Sequence, residues 1–524
     1  MEAARGSPDL CPHQHLPQAH CQGALVPHQP PDPGPDRLRD QRRDAAADRG
    51  VVGPVQAGLQ GGRLPAEHHR RCDRRRRAWR DRHQHRLDAP QPRPGATQAA
   101  VAAGDRLPAV AEALREAAAR FGTPLYVTDV QTLDAAAATV TQAFPDPWLR
   151  HYSVKANDVA AIVGLVGDRG FGANVVSRGE WAIATRAGIP NERITVEGVG
   201  KTDDDLAAVV RAARIGRPIR WLAVESPSEA RSLARLARRA PLPRPLDVLF
   251  RLNPDVSPET HRGLAVGSGA SKFGMTEAEL SEAIDLVAGA RGAIEPRGIH
   301  LHVGSQLGAV DAWRDAVRRG LALLALLRGS LPAFDTLDVG GGFPVARLGE
   351  PAPAPERFAR ELPALLDAIP PDRRPGRLAI EPGRFLVARS GWLVARVLHA
   401  RDRGGAQVVV DAGMTELIRP ALYGARHDVV ALTSGRRAWA APRGAPGLPA
   451  TSVQGPICES TDDLGVHDLP PLERGDVVAI RDAGAYAASQ ASTYNGRPRP
   501  PQVVLEPDGR LRLVRRRGAH SMLG

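Results

Sequence analysis

The chain has 524 residues and a formal net charge of +12. Residues 1–100 hold 17 Arg against 11 acidic residues, hence +6 of that charge, so the basic balance says little about the rest. No run of 18 apolar residues and no apolar signal core occur, so neither a membrane-spanning helix nor a secretory leader is expected. Three of the four cysteines (Cys11, Cys21, Cys72) precede residue 100 at no metal-ligand spacing, leaving Cys458 alone in the remainder. A disulfide framework is therefore excluded there, and no metal site is expected.

Residues 1–105 are rich in Pro, Gln, Arg and His and show no apolar periodicity. Such a stretch buries too little surface to offset its ordering entropy, and a disordered tail outside the working protein is expected. The arginine run Arg74 to Arg77 is compatible with nucleic-acid binding, but an unstructured or upstream-translated stretch is the simpler reading, and no nucleic-acid partner is expected. About 420 residues remain, enough for two domains. A cytoplasmic, enzyme-sized protein is expected.

Leu107, Val110, Ala111, Leu114 and Ala118 recur at helical spacing, so 107–120 is predicted as an amphipathic helix. A strand over 125–128 follows, in a segment (106–134) expected to add to a second domain. Eight short, often β-branched runs come next, at 151–156, 173–177, 194–198, 221–226, 247–253, 298–303, 336–340 and 377–381. Alanine-rich helical stretches separate most of them. This alternation means parallel pairing and fits a (β/α)8 barrel over 135–387, with an open doubly wound sheet as the alternative. Beyond 388 the texture changes to strand-like runs at 392–398, 407–410 and 476–480. A hairpin follows around Pro507-Asp508-Gly509. A mostly β domain is predicted over 388–524, completing the site.

Active sites of such barrels lie at the C-terminal strand ends. Lys155 ends the first run, and His302 and Ser305 end the sixth. Gly340-Gly341-Gly342 ends the seventh, and Glu381-Pro382-Gly383-Arg384 the eighth. Lys155 is one of only three lysines, so 67 of the 70 basic residues are arginine. A lysine amine forms an imine when its pKa is lowered, which a guanidinium does not do. Each feature alone has a plain structural explanation, since glycine triplets are usually turns and a lone His is usually a core residue. Together at one edge they fit pyridoxal phosphate. Lys155 would hold it, glycines and Ser305 would meet the phosphate, Arg384 would add charge, His302 would pack on the ring, and Glu381 would keep the ring nitrogen protonated.

The motifs Tyr152-Ser153-Val154-Lys155-Ala156-Asn157, His302 to Gln306, Gly340 to Pro344, Glu381 to Phe385, Cys458-Glu459-Ser460 and Asp482 to Tyr486 resemble the fold-type III pyridoxal phosphate decarboxylases, most closely the diaminopimelate decarboxylase group. The resemblance spans about 106–520 and implies a barrel of the alanine-racemase type. It implies a Schiff-base role for Lys155, ring stacking for His302, and phosphate contacts for Ser305, Gly341 and Tyr486. Gly342 and Gly383 belong to the same cofactor-binding segments. Glu381 is implied as the pyridinium partner, where the related racemases use arginine. Cys458 is implied as the acid that reprotonates the carbanion, delivered by the neighbouring subunit of a homodimer with shared sites. Arg384, Arg419, Tyr423, Tyr486 and Glu459 are implied to bind substrate, the arginines meeting a distal carboxylate and Glu459 a distal ammonium. The resemblance thus points to decarboxylation of meso-2,6-diaminopimelate to L-lysine and CO2. Alternatives are another amino acid on the same scaffold and an inactive regulatory homologue. Asn174 stands where relatives usually have aspartate, and Val266 where threonine is common. Arg178, Trp181 and Thr461-Asp462 also depart from the usual residues.

Because residues 1–103 hold none of these motifs, a chain starting near residue 104 is expected to fold and keep full activity. A large loss of decarboxylation rate or solubility on truncation would contradict this.

Overall fold

The computed structural model describes residues 106–522, apart from 240, 268–270, 291, 347–350 and 440–446. The expected disorder of residues 1–105 lies outside the described residues.

Helix α1 (Leu107–Phe121) buries Leu107, Val110, Leu114, Ala117 and Ala118, the stripe that its spacing implies. It leads into β1 (Leu125–Asp129) and α2 (Val130–Ala143), which Asp129 caps by accepting from the N–H of Gln131. Eight parallel strands then alternate with helices. They begin β2 (Leu149–Ser153), α3 (Ala160–Gly167), β3 (Gly172–Val175), α4 (Arg178–Arg186) and β4 (Ile194–Val196). They continue α5 (Asp203–Arg214), β5 (Trp221–Val224), α6 (Pro227–Arg238), β6 (Leu246–Arg251), α7 (Glu277–Ala288) and β7 (Ile294–His300). They end α8 (Asp311–Leu327), β8 (Thr336–Asp338), α9 (Pro355–Ala359), α10 (Leu362–Asp367), β9 (Arg377–Ile380) and α11 (Arg384–Val387). Side-chain caps start the helices where the chain leaves a strand: Ser177 for α4, Ser226 for α6, and capping boxes Thr202/Asp205 for α5 and Thr276/Glu279 for α7.

The strands pair in order β2 to β9, and β2 pairs back to β9 through Leu149↔Ala379 and Arg150↔Ile380. The sheet is therefore a closed barrel, and the open-sheet alternative falls. Its floor is a plug of Trp221, Ala223, Leu249 and Ala379 against Leu149. His151 packs edge-on to Trp221 at 5.1 Å between ring centroids, and burial holds its imidazole down to about 3, so it is neutral. The outer strand faces and the helices share one larger core.

After α11 the chain builds a second sheet: β10 (Gly391–Asp402), β11 (Ala406–Val410), α12 (Arg419–Tyr423), β12 (Val429–Ala431), β13 (Thr433–Ser434), β14 (Arg437–Ala438), β15 (Ala450–Gln454), β16 (Asp463–Asp468), β17 (Val477–Ile480), β18 (Gln502–Leu505) and β19 (Leu511–Arg515). β1 joins this sheet, antiparallel to β10 and parallel to β18. Strands β13 and β14 stand apart as a two-stranded ribbon. The sequence pattern does not mark β12 to β16, which are short or carry polar residues on both faces.

The turn before the last strands is clamped to the barrel. Tyr486 N–H donates to the Ala156 carbonyl (2.7 Å), Asn157 Nδ2 to the Gly484 carbonyl (3.1 Å), and Ser489 Oγ to the Lys155 carbonyl (2.9 Å). A Cβ on Gly484 would overlap the Val387 carbonyl, a backbone atom with no freedom to yield. Gly484→Ala is therefore expected to cost about 3 kcal/mol or more, the upper end of overpacking effects. Urea denaturation checks this; an unchanged midpoint would mean the turn relaxes freely.

Candidate active site

The C-terminal mouth of the barrel opens on a cavity of about 420 Å3, within the range of small-molecule sites. Its lining includes Lys155, His302, Ser305, Gly342, Glu381, Gly383, Arg384, Arg419, Tyr423 and Tyr486. Ten of the site residues expected from sequence thus meet in one place, from four barrel strand ends and two segments of the β domain.

Lys155 sits in a single 3-10 turn, Val154–Ala156, directly after β2. Glu180, from the first turn of α4, accepts from the Val176 N–H at 2.9 Å. Burial pushes its carboxyl up, and the Lys155 ammonium pulls it back. Arg384, which opens α11 after β9, donates to Ser305 Oγ from Nη2 (2.9 Å) and Nε (3.3 Å), and its guanidinium lies 4.7 Å from the centre of the Tyr486 ring. Tyr486 holds a left-handed backbone (φ +56°), a conformation that non-glycine residues keep only where surroundings over-determine it. Gly342 also has a left-handed backbone (φ +100°), and a Cβ there would meet the Gly304 carbonyl at 2.7 Å. Gly341 approaches the Glu381 backbone closely and donates its N–H to His302 Nδ1 at 3.3 Å. Burial holds the His302 imidazole well below its ordinary value, so it is neutral, with its proton on Nε2.

Below the mouth lies a polar layer within the barrel. Asn174 Nδ2 donates to Glu381 Oε1. The departure from aspartate thus places an amide donor against Glu381, where a second carboxylate would repel it. His300 Nε2 lies 3.4 Å from Glu381 Oε2 and 3.3 Å from Glu197 Oε2. Arg251 Nη1 donates to both Glu225 carboxylate oxygens at 2.8 Å. Glu197, Glu225, Arg251, His300 and Asp338 are functional-site neighbours that motif reading missed. Their signal was present: each is an inward position at or just past the end of a barrel strand, and polar inward positions in such strands are rare. His300 pairs with His302 at the two-residue period of a strand.

At the far side of the cavity, buried Arg419 donates from Nη1 to His427 Nε2 (2.9 Å). His427 Nδ1 donates to the Arg481 carbonyl (2.9 Å), which fixes the tautomer that can accept from Arg419. His427 was also missed; it follows Arg419 by eight residues, with no motif to mark it. Val266 lines the cavity. Arg178 is exposed, and Trp181 donates from Nε1 to Asn191 Oδ1 (3.0 Å), away from the cavity. Asp462 accepts from the Ile457 and Met414 N–H groups (2.7 and 2.6 Å) and shapes its own loop. Cys458 and Glu459 do not join the cavity lining. Both are exposed; Asn495 Nδ2 donates to Cys458 Sγ (3.4 Å) and Tyr494 Oη to Glu459 Oε1 (2.6 Å).

The donor set fits pyridoxal phosphate. An amine at one wall, a hydroxyl paired with a guanidinium beside a glycine cradle, and a buried carboxylate are what its aldehyde, phosphate and ring nitrogen each require. Comparison with known proteins decides the family. Residues 130–388 match the pyridoxal-dependent decarboxylase family, in its pyridoxal binding domain. The chain is 35% identical over 407 residues to diaminopimelate decarboxylase of Aquifex aeolicus, covering 77% of this chain and 91% of that one. This chain belongs to the pyridoxal-dependent decarboxylases. It is 36% identical over 395 residues to the diaminopimelate decarboxylase of Deinococcus radiodurans, covering 75% and 92% of the two chains. The crystal structure of the Helicobacter pylori diaminopimelate decarboxylase complexed with L-lysine superposes with a TM-score of 0.69 at 31% identity, covering 78% of this chain and 98% of that one. The chain is accordingly a carboxy-lyase whose cofactor is pyridoxal 5'-phosphate. Among the described residues no helix is long and apolar enough to cross a membrane.

Proposed function

We propose that the enzyme decarboxylates meso-2,6-diaminopimelate to L-lysine and CO2. The observation that carries this reading is Arg419, a buried guanidinium that lines the same cavity as Lys155 and is held by His427. A second carboxylate at the far end of the substrate is what such a group recognises. Bound pyridoxal phosphate supplies an electron sink for the electron pair left when CO2 departs. Lys155 holds the cofactor. Ser305, Arg384, Gly342 and Gly383 would hold its phosphate end with Tyr486, and Gly341 would orient His302 towards its ring. Glu381 would accept a hydrogen bond from the protonated ring nitrogen and keep it charged. Arg419 and Tyr423 hold the distal carboxylate, and Arg384 and Tyr486 line the path to it.

The exposed position of Cys458 and Glu459 supports a homodimer in which this loop enters the cavity of the other copy. The partner subunit's Cys458 then delivers the proton that replaces the lost carboxylate, and the partner's Glu459 meets the distal ammonium. Co-expressed Lys155→Ala and Cys458→Ala chains are expected to recover activity that neither has alone. A cytoplasmic location belongs to this reading, with an unpaired cysteine thiol as the working acid.

Purified enzyme is expected to show visible absorbance from cofactor on Lys155, and Lys155→Ala to lose it. Borohydride labelling of Lys201 or Lys272 instead would overturn the assignment. Lys201 is paired with Glu229 (3.0 Å), and the Lys272 ammonium lies 5.3 Å from the centre of the Phe273 ring.

CO2 release compared across meso-diaminopimelate, lysine, ornithine and arginine tests the substrate. Arg419→Ala is expected to cost about 2–5 kcal/mol for meso-diaminopimelate, because a buried charge loses its partner. That is about thirtyfold to several thousandfold in kcat/KM. Cys458→Ala should instead slow every substrate. Preference of the wild type for lysine or ornithine would replace diaminopimelate by another amino acid, a change that Val266 in the cavity wall would accommodate.

A further inference from the structure

Glu197, on the strand-end residue after β4, is not used by the reading above. It is 4% exposed, and its carboxyl, the His300 imidazole and the Glu381 carboxyl each place a polar atom within 4.8 Å of the others. Asp338 on β8 adds a third buried carboxyl to the same layer. Three carboxylates cannot all ionise there. The layer offers them few opposing charges. Burial holds His300 down to about 4, hence neutral, and Arg251 on β6 is already engaged by Glu225, the residue after β5. His302 is neutral as well, and Lys155 is reserved for the cofactor.

The hydrogen bonds decide where the charge rests. His300 Nδ1 has no partner among the described residues, so the ring proton sits on Nε2, between Glu197 and Glu381. Glu381 also accepts from Asn174. Among the described residues no donor reaches Glu197 Oε1 or Asp338 Oδ2, although both atoms are fully buried; Glu197 Oε2 shares the His300 Nε2 proton and Asp338 Oδ1 accepts from the Gly340 N–H (2.9 Å). A buried carboxylate with one oxygen left without a donor is disfavoured in such a place, whereas a carboxylic acid brings its own proton.

We propose that Glu197 is a positioning residue held as a neutral carboxylic acid, which donates its proton to Glu381 and so fixes Glu381 as the one carboxylate facing the cofactor's ring nitrogen. The layer then presents a single negative charge to a single protonated ring. Burial and the neighbouring Glu381 push Glu197 up to about 8 from an ordinary 4.5, in the same sense. Asp338 is raised well above its ordinary value by burial, Glu381 and Glu197. The consequence for the cofactor rests on the proposed reading of the site; the proton on Glu197 does not.

Two measurements on the full chain stripped of cofactor test the proton. Infrared spectroscopy is expected to show a protonated-carboxyl C=O band that is missing in Glu197→Gln and titrates away in the parent as pH rises through about 8. Because the folded pKa lies above the unfolded one, the stability that Glu197 contributes is complete below pH 4.5 and is lost as pH rises through about 8. Glu197→Gln, which keeps a donor but cannot ionise, should match the parent near pH 5 and surpass it in melting temperature near pH 9. A third arm reads affinity. Glu197→Leu, which donates nothing, should weaken pyridoxal phosphate binding by about tenfold to a hundredfold. It should leave the analogue lacking the ring nitrogen unaffected, and Glu197→Gln should bind both as the parent does. A stability difference independent of pH together with no lost C=O band in Glu197→Gln would show an ionised Glu197 and overturn the proposal. So would tight zinc binding by the stripped protein that Glu197→Gln abolishes. If the parent itself failed to bind pyridoxal phosphate, the functional reading would fall while the infrared and stability arms still judged the proton.

Discussion

The pairing of β2 with β9 is the constraint on which the site depends. It spans two registered pairs, yet it joins segments separated by more than 200 residues of sequence. Past the pairs, the Ser153 N–H donates to the Pro382 carbonyl and Ser153 Oγ to the Glu381 carbonyl, both at 3.2 Å. These bonds set the lysine turn directly beside the loop that carries Glu381 and Arg384. In an open sheet the same strands would be opposite edges, and the amine and the carboxylate would stand far apart. Closure alone turns eight dispersed strand ends into one cavity lined by an amine, a hydroxyl–guanidinium pair and a carboxylate.

The second domain matters because it completes that wall from outside the barrel. The bonds from Tyr486, Asn157 and Ser489 tie its turn to Lys155 itself and to the two residues that follow it. The glycine contact at Gly484 leaves no space for the turn to slide. Tyr486 then reaches the cavity in a backbone conformation that it would not adopt unsupported. Domain packing and the placement of a cofactor contact are therefore one structural event. Mobility at this joint would loosen the lysine and the phosphate end together.

Much of this was legible in the sequence, because the barrel strands are short β-branched runs and the helices between them carry apolar stripes and side-chain caps. All eight expected runs became barrel strands, and the residues at their ends did converge. The rest was hidden for identifiable reasons. Strands β13 to β16 have polar residues on both faces or only two residues, so neither periodicity nor β-propensity marks them. Glu197 and Asp338 are single acids next to apolar runs, a pattern shared by ordinary solvent-facing turns. Their burial follows from barrel closure, which no local window contains. Asn174 was legible as a departure but not in its direction: its amide serves Glu381, past the intervening strand β2, and the bond links β3 to the end of β9.

The scarcity of lysine gains a physical meaning from where the three remain. Lys155 needs an amine that can react, which arginine does not provide. Lys201 lies almost wholly buried, donating to the Gly198 carbonyl and pairing with Glu229, so one compact ammonium serves an oxygen of the loop and one of α6. A guanidinium would bring a wide planar fork into that space. Gly198, Val199 and Gly200, the residues so tethered, form part of the cavity wall directly after Glu197. Two of the three lysines therefore act at the same barrel mouth, one by chemistry and one by holding the loop that carries the buried acid. A composition that elsewhere favours arginine keeps the smaller, reactive cation where its size or its proton is what the site uses.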